Sequence, residues 1–495
     1  MYNSEGGYYD YDDMMSEGYS WFLNNGNPIA AAALSDHGLN LSKNYRLQAS
    51  AYLQIQPIKN LVFKSQFGYK YNSYSYRAYN KVSHLNQVSD VSKESVSQNA
   101  GMGSSWTLGN TISYKFERNN HVLDAVIGQS LEKWGNGESL SGFAYNTLFS
   151  DSWDHAWLGN TKPTTINEVT ISGYPDDEGA LASFFGRANY NFKETYMASF
   201  TIRADGSSNF ARGNRWGIFP SVSAGWVITN EEWMSKVQGW LDFFKIRASW
   251  GQNGNCNISN FQYYTTYGFD ALNGYYFGGD KMTQTVGGYA NILANPDVTW
   301  ETSEQLDFGF DSRFFNSRLS FAFDWYHKKT KDWLVQAPIL STYGLQAPYI
   351  NGGDVVNKGV ELAFGWNDSV GRDFQYGANL NLAFNKNEVT RIANSEGIIH
   401  GSTGATGALG QGAYEIYRAE VGKPIGYFYG YETAGIFQNQ AEIDAWKAAG
   451  NGVLQGENVT PGDVKFVDRN VDGVIDDKDK TELVIQLLIL QWDLV

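Results

Sequence analysis

The sequence is poor in cysteine, proline and basic residues. Its 495 residues include 1 cysteine and 10 prolines, and 37 Lys and Arg are set against 52 Asp and Glu, which gives a net charge of −15. The single Cys256 excludes an intrachain disulfide framework. The acidic balance argues against a nucleic-acid partner, because phosphate binding needs clustered Lys and Arg.

Long apolar runs and catalytic motifs are missing as well. A membrane-spanning helix needs about 20 apolar residues, and the longest such window, Leu483–Leu490, is too short. The histidines show no H-E-x-x-H spacing, no G-x-S-x-G occurs, and the glycine-rich run at 401–412 lacks the Lys-Ser/Thr of a phosphate loop. We therefore expect no enzymatic activity, and any membrane crossing has to use β-strands.

The sequence is rich in glycine and aromatic residues, with 53 Gly, 32 Tyr, 29 Phe and 16 Trp. Aromatics favour strands and barrel interfaces, whereas Gly marks turns. This composition indicates an all-β protein.

Apolar and polar residues alternate in about twelve segments, as in a strand with one buried or lipid-covered face. In LSFAFDWYHKK, the alternation sets Phe321, Phe323 and Trp325 against Ala322, Asp324 and Tyr326. Most segments are joined in pairs by short turns, as in hairpins. The twelve segments are 45–56, 61–72, 106–116, 121–128, 184–192, 196–205, 220–228, 243–251, 304–315, 319–329, 359–366 and 374–384.

The links between strands alternate in length. Those inside a pair are short, while those between pairs, such as 72–104, 129–182 and 251–296, are long. Outer-membrane barrels combine short periplasmic turns with long extracellular loops, whereas a soluble sandwich or propeller has no reason to keep its long loops at one end. The pattern favours an antiparallel transmembrane β-barrel.

Several phrases resemble the SusC/RagA class of TonB-dependent outer-membrane receptors of Bacteroidota. They occur in the order that this family keeps, and they are NPIAAA (27–32), RADGSSNFARGNRWGIFPSVSAGWVITNEEWM (203–234), KIRASWGQNGN (245–255), NPDVTWETSEQLDFGFD (295–311), FDWYHKKTKDWLV (323–335), NGGDVVNKGVEL (351–362) and GKPIGYFYGYETAGIFQNQAEIDA (422–445). The resemblance implies a barrel of about 22 strands filled by a plug domain. It further implies location in the outer membrane, import of glycan fragments (oligosaccharides) or peptides with energy from the TonB complex, and a SusD-like surface lipoprotein as partner.

No counterpart of the family's signal peptide, TonB box or plug precedes Tyr45. We therefore expect an incomplete barrel of about 12 strands, which alone neither closes nor transports because its edge strands would face lipid unpaired. The expected organisation is a loop region at 1–44, barrel hairpins with long extracellular loops at 45–386, an extracellular excursion at 387–482 and an aberrant tail at 483–495.

The acidic run DRNVDGVIDDKD has the spacing of a calcium-binding loop. The hard cation Ca²⁺ takes six to eight oxygen ligands, and Gly473 stands at the turn position, with Ile475 expected to pack beneath the loop. Asp at the last position and the lack of clear flanking helices favour a dockerin-like variant over a helix-loop-helix hand, and Val471 is expected to strain a left-handed position. An acidic, solvated turn is the alternative. The expected ligands are Asp468, Asn470, Asp472, the carbonyl of Val474, Asp476 and Asp479.

The tail LVIQLLILQWDLV follows this loop without a turn signal and shows neither strand nor helix periodicity. In the family, a strand beginning like IGNPxPxFTYGFN stands here, and one possible set of codons for such a strand, read in a shifted frame, gives the observed residues. We expect a frameshift or sequencing error before Leu483 and poor packing or disorder of 483–495.

Two functional classes remain open. One is a TonB-dependent importer, and the other is a soluble or surface calcium-binding adhesin or glycan-binding β-protein; a passive porin is a third, less favoured option. Aromatic loop residues could stack on sugars in either class, although interface girdles use the same residues. The candidates are Trp153, Trp157, Tyr263, Tyr264, Tyr275 and Tyr276.

Overall fold

The computed structural model describes residues 28–29, 32, 40–84, 90–237, 239–277, 283–336, 342, 344–371, 373–401, 415–484 and 490–494. The strands are β1 (Asn40–Ile58), β2 (Leu61–Asn80), β3 (Ser83–His84), β4 (Asp90–Val91), β5 (Ser95–Arg118), β6 (His121–Tyr145), β7 (Val169–Pro175), β8 (Gly179–Phe192), β9 (Tyr196–Ser207), β10 (Trp216–Val227), β11 (Leu241–Asn255), β12 (Tyr267–Phe277), β13 (Thr283–Ala290), β14 (Glu301–Phe314), β15 (Leu319–Lys331), β16 (Leu334–Gln336), β17 (Tyr349–Asn351), β18 (Gly353–Val370), β19 (Phe374–Ile392), β20 (Ile398–His400), β21 (Tyr417–Glu420), β22 (Tyr427–Tyr431), β23 (Thr433–Ile436), β24 (Val464–Phe466), β25 (Lys480–Val484) and β26 (Leu490–Leu494).

Helical structure in the described ranges is short. An α-helix, α1, spans Gln440–Ala448, and 3₁₀ turns lie at Leu158–Asn160, Ile166–Glu168, Ile228–Asn230, Glu232–Val237, Gly456–Asn458 and Asp477–Asp479. Within these ranges, none of the helices has the length and hydropathy needed to cross a membrane.

The long strands form one sheet in the order β1-β2-β5-β6-β8-β9-β10-β11-β14-β15-β18-β19-β26, and β7 pairs with β6. From β9 to β26 every pairing is antiparallel. Ten of the twelve segments predicted from alternation lie within one of these strands, and the other two, 220–228 and 304–315, extend one residue beyond β10 and β14. The all-β, antiparallel prediction is therefore confirmed. Among the described residues the order ends at β1 and β26.

The strands are longer than the alternation predicted. β2, β5 and β6 contain 20, 24 and 25 residues, so the expected loops at 72–104 and 129–182 are partly strand. The expected loop region 1–44 likewise ends in strand, because β1 begins at Asn40. Backbone pairing can continue into water, where nothing requires one face to be apolar, and the sequence there loses its alternation.

Two compact units divide the chain. The first comprises the chain up to Pro57, Val62–Thr111 and Gly128–Ala182, and the second comprises Ile58–Leu61, Ile112–Ile127 and the chain from Ser183. In the first, Tyr79, Val96 and Ala156 form a small buried cluster. The second contains two such clusters. One is formed by Val355, Val389, Ile392 and Ala419, and the other is formed by Phe437, Ile443 and Val459.

The backbone of the C-terminal tail is partly in strand, although poor packing or disorder was expected. Leu483 and Val484 end β25, and Leu490–Leu494 pairs with β19. Its register sets residues 490, 492 and 494 opposite Phe384, Leu382 and Leu380. Backbone pairing with the end of a sheet accounts for this order, since that edge presents free N–H and C=O groups. Residues 485–489 and 495 lie outside the described ranges.

Candidate functional site

One face of the sheet from β9 to β19 is apolar and exposed. In the middle of this face, Phe323 lies opposite Phe310 of β14 and Leu362 of β18, and the rings of Phe323 and Phe310 are 5.5 Å apart. Exposed side chains on the same face are Phe200, Ile202, Trp216, Ile218, Val222, Trp226, Ile246, Phe308, Phe364, Trp366 and Phe384. A continuous apolar surface of this extent is costly in water and matches a lipid-covered band.

The opposite face carries small and polar residues. Next to Phe323 along β15, Asp324 lies opposite Gly309 and Glu361. Nη2 of Arg247 donates to Oδ2 of Asp324 at 2.6 Å, and its Nε donates to Oδ2 of Asp311 at 3.1 Å. Apolar and polar residues of β15 therefore occupy opposite faces, as the alternation predicted, and the charges of the polar face are paired across strands.

A cavity of about 440 Å³ opens on the polar face. Its charged lining residues are Asp124, Lys245, Arg247 and Asp307, and the hydroxyl of Ser249 donates to Asp307 at 3.0 Å. Such a lining suits water and polar solutes rather than lipid.

The acidic loop between β24 and β25 is closed by side-chain to backbone hydrogen bonds. Asp468 accepts from the N–H of Gly473 at 2.7 Å and of Asp472 at 3.2 Å, and Asp472 accepts from the N–H of Val474 at 2.9 Å. Asn470 accepts from the N–H of Asp472 at 3.1 Å. The structure therefore brings three of the predicted ligand residues, Asp468, Asn470 and Asp472, into one turn.

Asp479 has a different position from the other predicted ligands. It is fully buried and accepts from the N–H of Asp476 at 2.8 Å and of Arg469 at 2.9 Å. These backbone donors, that of Asp476 foremost, hold the pKa of Asp479 below its usual range. Asp476 in turn caps the 3₁₀ turn at Asp477–Asp479. Asp479 thus fastens the two ends of the loop to each other.

Two further expectations for the loop are observed. Ile475 is buried, as a residue that packs beneath the loop should be, and Val471 has a positive φ of 59°. Across the described ranges, however, no three His, Cys, Asp or Glu side chains are grouped so that they could hold a metal ion. The carboxylates face backbone N–H donors instead.

The aromatic residues singled out from the sequence form two groups. Trp153 and Trp157 both lie against Arg77, whose guanidinium carbon is 4.0 Å from each ring centroid. The rings of Tyr263 and Tyr264 are 4.5 Å apart. Tyr275 and Tyr276 are in β12, but their side chains are outside what the structure describes. Sequence reasoning missed Arg77, because nothing near it in the chain indicates the tryptophans that enclose it.

The comparisons with known proteins agree with this geometry. The model of the family described as TonB dependent receptor-like, β-barrel, matches residues 1–451. The chain belongs to the TonB-dependent receptor β-barrel family. It is consequently part of an outer-membrane receptor, as the sequence resemblance implied.

Curated relatives of this receptor chain come from Bacteroidota. TonB-dependent receptor P3 of Formosa agariphila is 29% identical over 461 residues, which is 90% of this chain and 42% of that receptor. TonB-dependent receptor SusC of Bacteroides thetaiotaomicron is 31% identical over 303 residues, 61% of this chain and 28% of that receptor. The chain thus spans less than half the length of these relatives.

The receptor fold also matches a solved structure. A chain of the RagAB peptide transporter superposes with a TM-score of 0.70 at 23% identity, over 92% of this chain and 46% of that chain. This similarity confirms the fold.

Proposed function

We propose that this chain forms part of the barrel of an outer-membrane importer for glycan fragments or peptides. The importer takes energy from the TonB complex and works with a SusD-like surface lipoprotein. The observation that carries the proposal is the two-faced sheet, whose exposed apolar face continues from Phe200 in β9 to Phe384 in β19. The RagAB peptide transporter and SusC are the relatives that support it.

The polar face supports a transport role rather than a catalytic one. Its paired charges, such as Arg247 with Asp324 and Asp311, are the kind of lining that keeps a lumen hydrated. We propose no enzymatic activity for this chain. Neither the cavity beside Arg247 nor the aromatic pairs discriminate between sugars and peptides.

The alternative is a soluble or surface calcium-binding adhesin or glycan-binding protein. Such a protein would have to cover the apolar face with protein to be stable in water. Refolding of the chain separates the two. The importer predicts a β-rich, protease-resistant state in detergent micelles and aggregation in buffer; a cooperative, monomeric fold in buffer would support the alternative.

We further propose that the loop from Asp468 to Asp479 binds Ca²⁺. Asp468, Asn470 and Asp472 share one turn and Gly473 has the positive φ of 83° that the turn position needs. Binding would exchange hydrogen bonds to backbone N–H groups for bonds to the ion, with the Val474 carbonyl, Asp476 and Asp479 as the remaining predicted oxygen donors.

Calorimetry with Ca²⁺ tests this second proposal. Replacing both Asp468 and Asp472 with Asn keeps the size of the side chains and removes their charge, so binding should be lost. Asp444→Asn, an exposed carboxylate on α1, is the matched control and should leave binding unchanged. No heat of binding in the unaltered chain, or binding that survives the double substitution, would contradict the proposal.

A further inference from the structure

The guanidinium of Arg77 has unpaired nitrogens although it is enclosed by aromatic rings. Its Nε and Nη1 atoms are withdrawn from solvent and have no hydrogen-bond partner among the residues that the structure describes, while the rings of Trp153 and Trp157 lie against the guanidinium. The stacking is favourable, but a buried donor without an acceptor is destabilising. This arrangement favours an acceptor, supplied from outside the chain, at the edge of the guanidinium.

A cavity of about 430 Å³ adjoins this cluster and is lined by Arg77 and Trp157. A second cation, Lys43 of β1, lines it as well. The apolar part of the lining includes Leu41, Leu140 and Ile171, whose side chains are 43%, 60% and 75% exposed. The cavity therefore joins two positive charges to an open apolar surface.

The position of the cavity in the receptor follows from the strand connections. β1 and β2 are joined by the two-residue link Lys59–Asn60, and short links lie on the periplasmic side in this class of barrel. Lys43 and Arg77 lie towards the opposite ends of these two strands. They are therefore at the extracellular end, where tryptophans form the belt between lipid and water.

We propose that this cavity binds a phosphate-bearing lipid of the outer leaflet of the outer membrane. Arg77 and Lys43 bind the phosphate, because a guanidinium edge and an ammonium are strong donors to phosphate oxygens. An acyl chain lies along Leu41, Leu140 and Ile171. Trp157, which is 46% exposed, turns aside to open the guanidinium edge.

Titration of the chain in detergent micelles with diphosphorylated lipid A, followed by native mass spectrometry, tests the proposal. The expected result is saturable binding of one lipid. The double variant Lys43→Gln and Arg77→Gln should weaken binding at least tenfold, and Arg77→Lys should retain more binding than Arg77→Gln, since it keeps the charge. Lys59→Gln, the same substitution at the periplasmic end, is the matched control and should bind as the unaltered chain does.

Two comparison ligands identify the source of the phosphate. Removing the phosphates from lipid A should weaken its binding to the unaltered chain. The remaining affinity should be no higher than the affinity of diphosphorylated lipid A for the double variant. Inorganic phosphate alone should bind far more weakly than the lipid. Equal affinity for the dephosphorylated lipid, equal affinity for inorganic phosphate, or binding unaffected by the double variant would each overturn the proposal.

Discussion

β15 and the segment from β23 to β24 show opposite distributions of apolar side chains. Every residue of β15 is half-buried and none is fully buried, whereas Phe437, Ile443 and Val459 of the other segment form a closed core with Trp446 and Val453 against it. The first region has its apolar groups on an outer face. The second resembles a small soluble protein, built around α1 and closed by hydrogen bonds such as that from the N–H of Glu442 to Asn439.

The difference reflects two environments, lipid for the first region and water for the second. In lipid, an exposed apolar face needs no covering, and backbone pairing supplies the order. In water, the same residues have to be buried to contribute stability. A substitution should therefore have different consequences in the two regions, even when the chemical change is similar.

The largest effect is expected in the soluble segment. Phe437→Ala removes a fully buried ring that lies 6.1 Å from Trp446 and leaves a cavity, so it should cost about 3–5 kcal/mol of local stability. Hydrogen exchange at α1 measures this cost. Leu454→Ala, an exposed position in the same segment, should change it by less than about 0.5 kcal/mol. Similar costs at both positions would mean that no closed core exists.

On the lipid face, Phe323→Arg should cost about 2–4 kcal/mol, because a charge near the middle of the bilayer is poorly solvated. Reversible unfolding of the receptor in lipid measures it. Asp324→Asn, the next residue but on the polar face, should cost about 1 kcal/mol or less, as expected for a half-exposed ion pair. Equal costs would contradict the assignment of the faces.

At the acidic loop, Asp479→Asn should cost about 1–3 kcal/mol, because an amide nitrogen cannot accept from the N–H groups that the buried carboxylate now satisfies. Since the pKa of Asp479 is lowered in the folded loop, its contribution is present above the unfolded pKa of about 3.9 and is lost as pH falls through the folded pKa. Acid titration of loop exchange rates should show this loss in the unaltered chain and not in Asp479→Asn. If Asp479→Asn showed the same acid-dependent loss as the unaltered chain, Asp479 would not be the group that holds the two ends of the loop together.

The smallest expected effect is a gain. Val471 is exposed and has a φ of 59°, which a β-branched residue adopts with strain, so Val471→Gly should stabilise the loop by about 0.5–1 kcal/mol. Val474 is also exposed but lacks a positive φ, and Val474→Gly should destabilise the loop because glycine only adds freedom to the unfolded chain. Hydrogen exchange of the loop distinguishes the two, and destabilisation by both would rule out strain at Val471.

The sequence predicted the parts of the molecule that touch lipid. Alternation located twelve of the fourteen strands of the large sheet and the opposite facing of Phe323 and Asp324, because a strand with one lipid-covered face has period 2. It could not predict where β2, β5 and β6 end, since their outer parts are in water. It also missed the hydrogen bonds by which Asp479 joins the two ends of the acidic loop, and the two tryptophans that lie against Arg77. Both features depend on loop geometry or on contacts between residues far apart in the chain. Poor packing or disorder was expected for Leu490–Leu494, whereas the backbone of this segment pairs with β19.

The most direct test of the two-faced sheet is site-directed spin labelling of the receptor in lipid bilayers. With Cys256 replaced by Ser, single cysteines at positions 323, 324, 361 and 362 carry the label, and its accessibility to oxygen and to a polar nickel chelate is measured. Positions 323 and 362 should be accessible to oxygen and protected from nickel, and 324 and 361 should show the reverse. Equal accessibility at neighbouring positions, or nickel access at 323 and 362, would contradict the account.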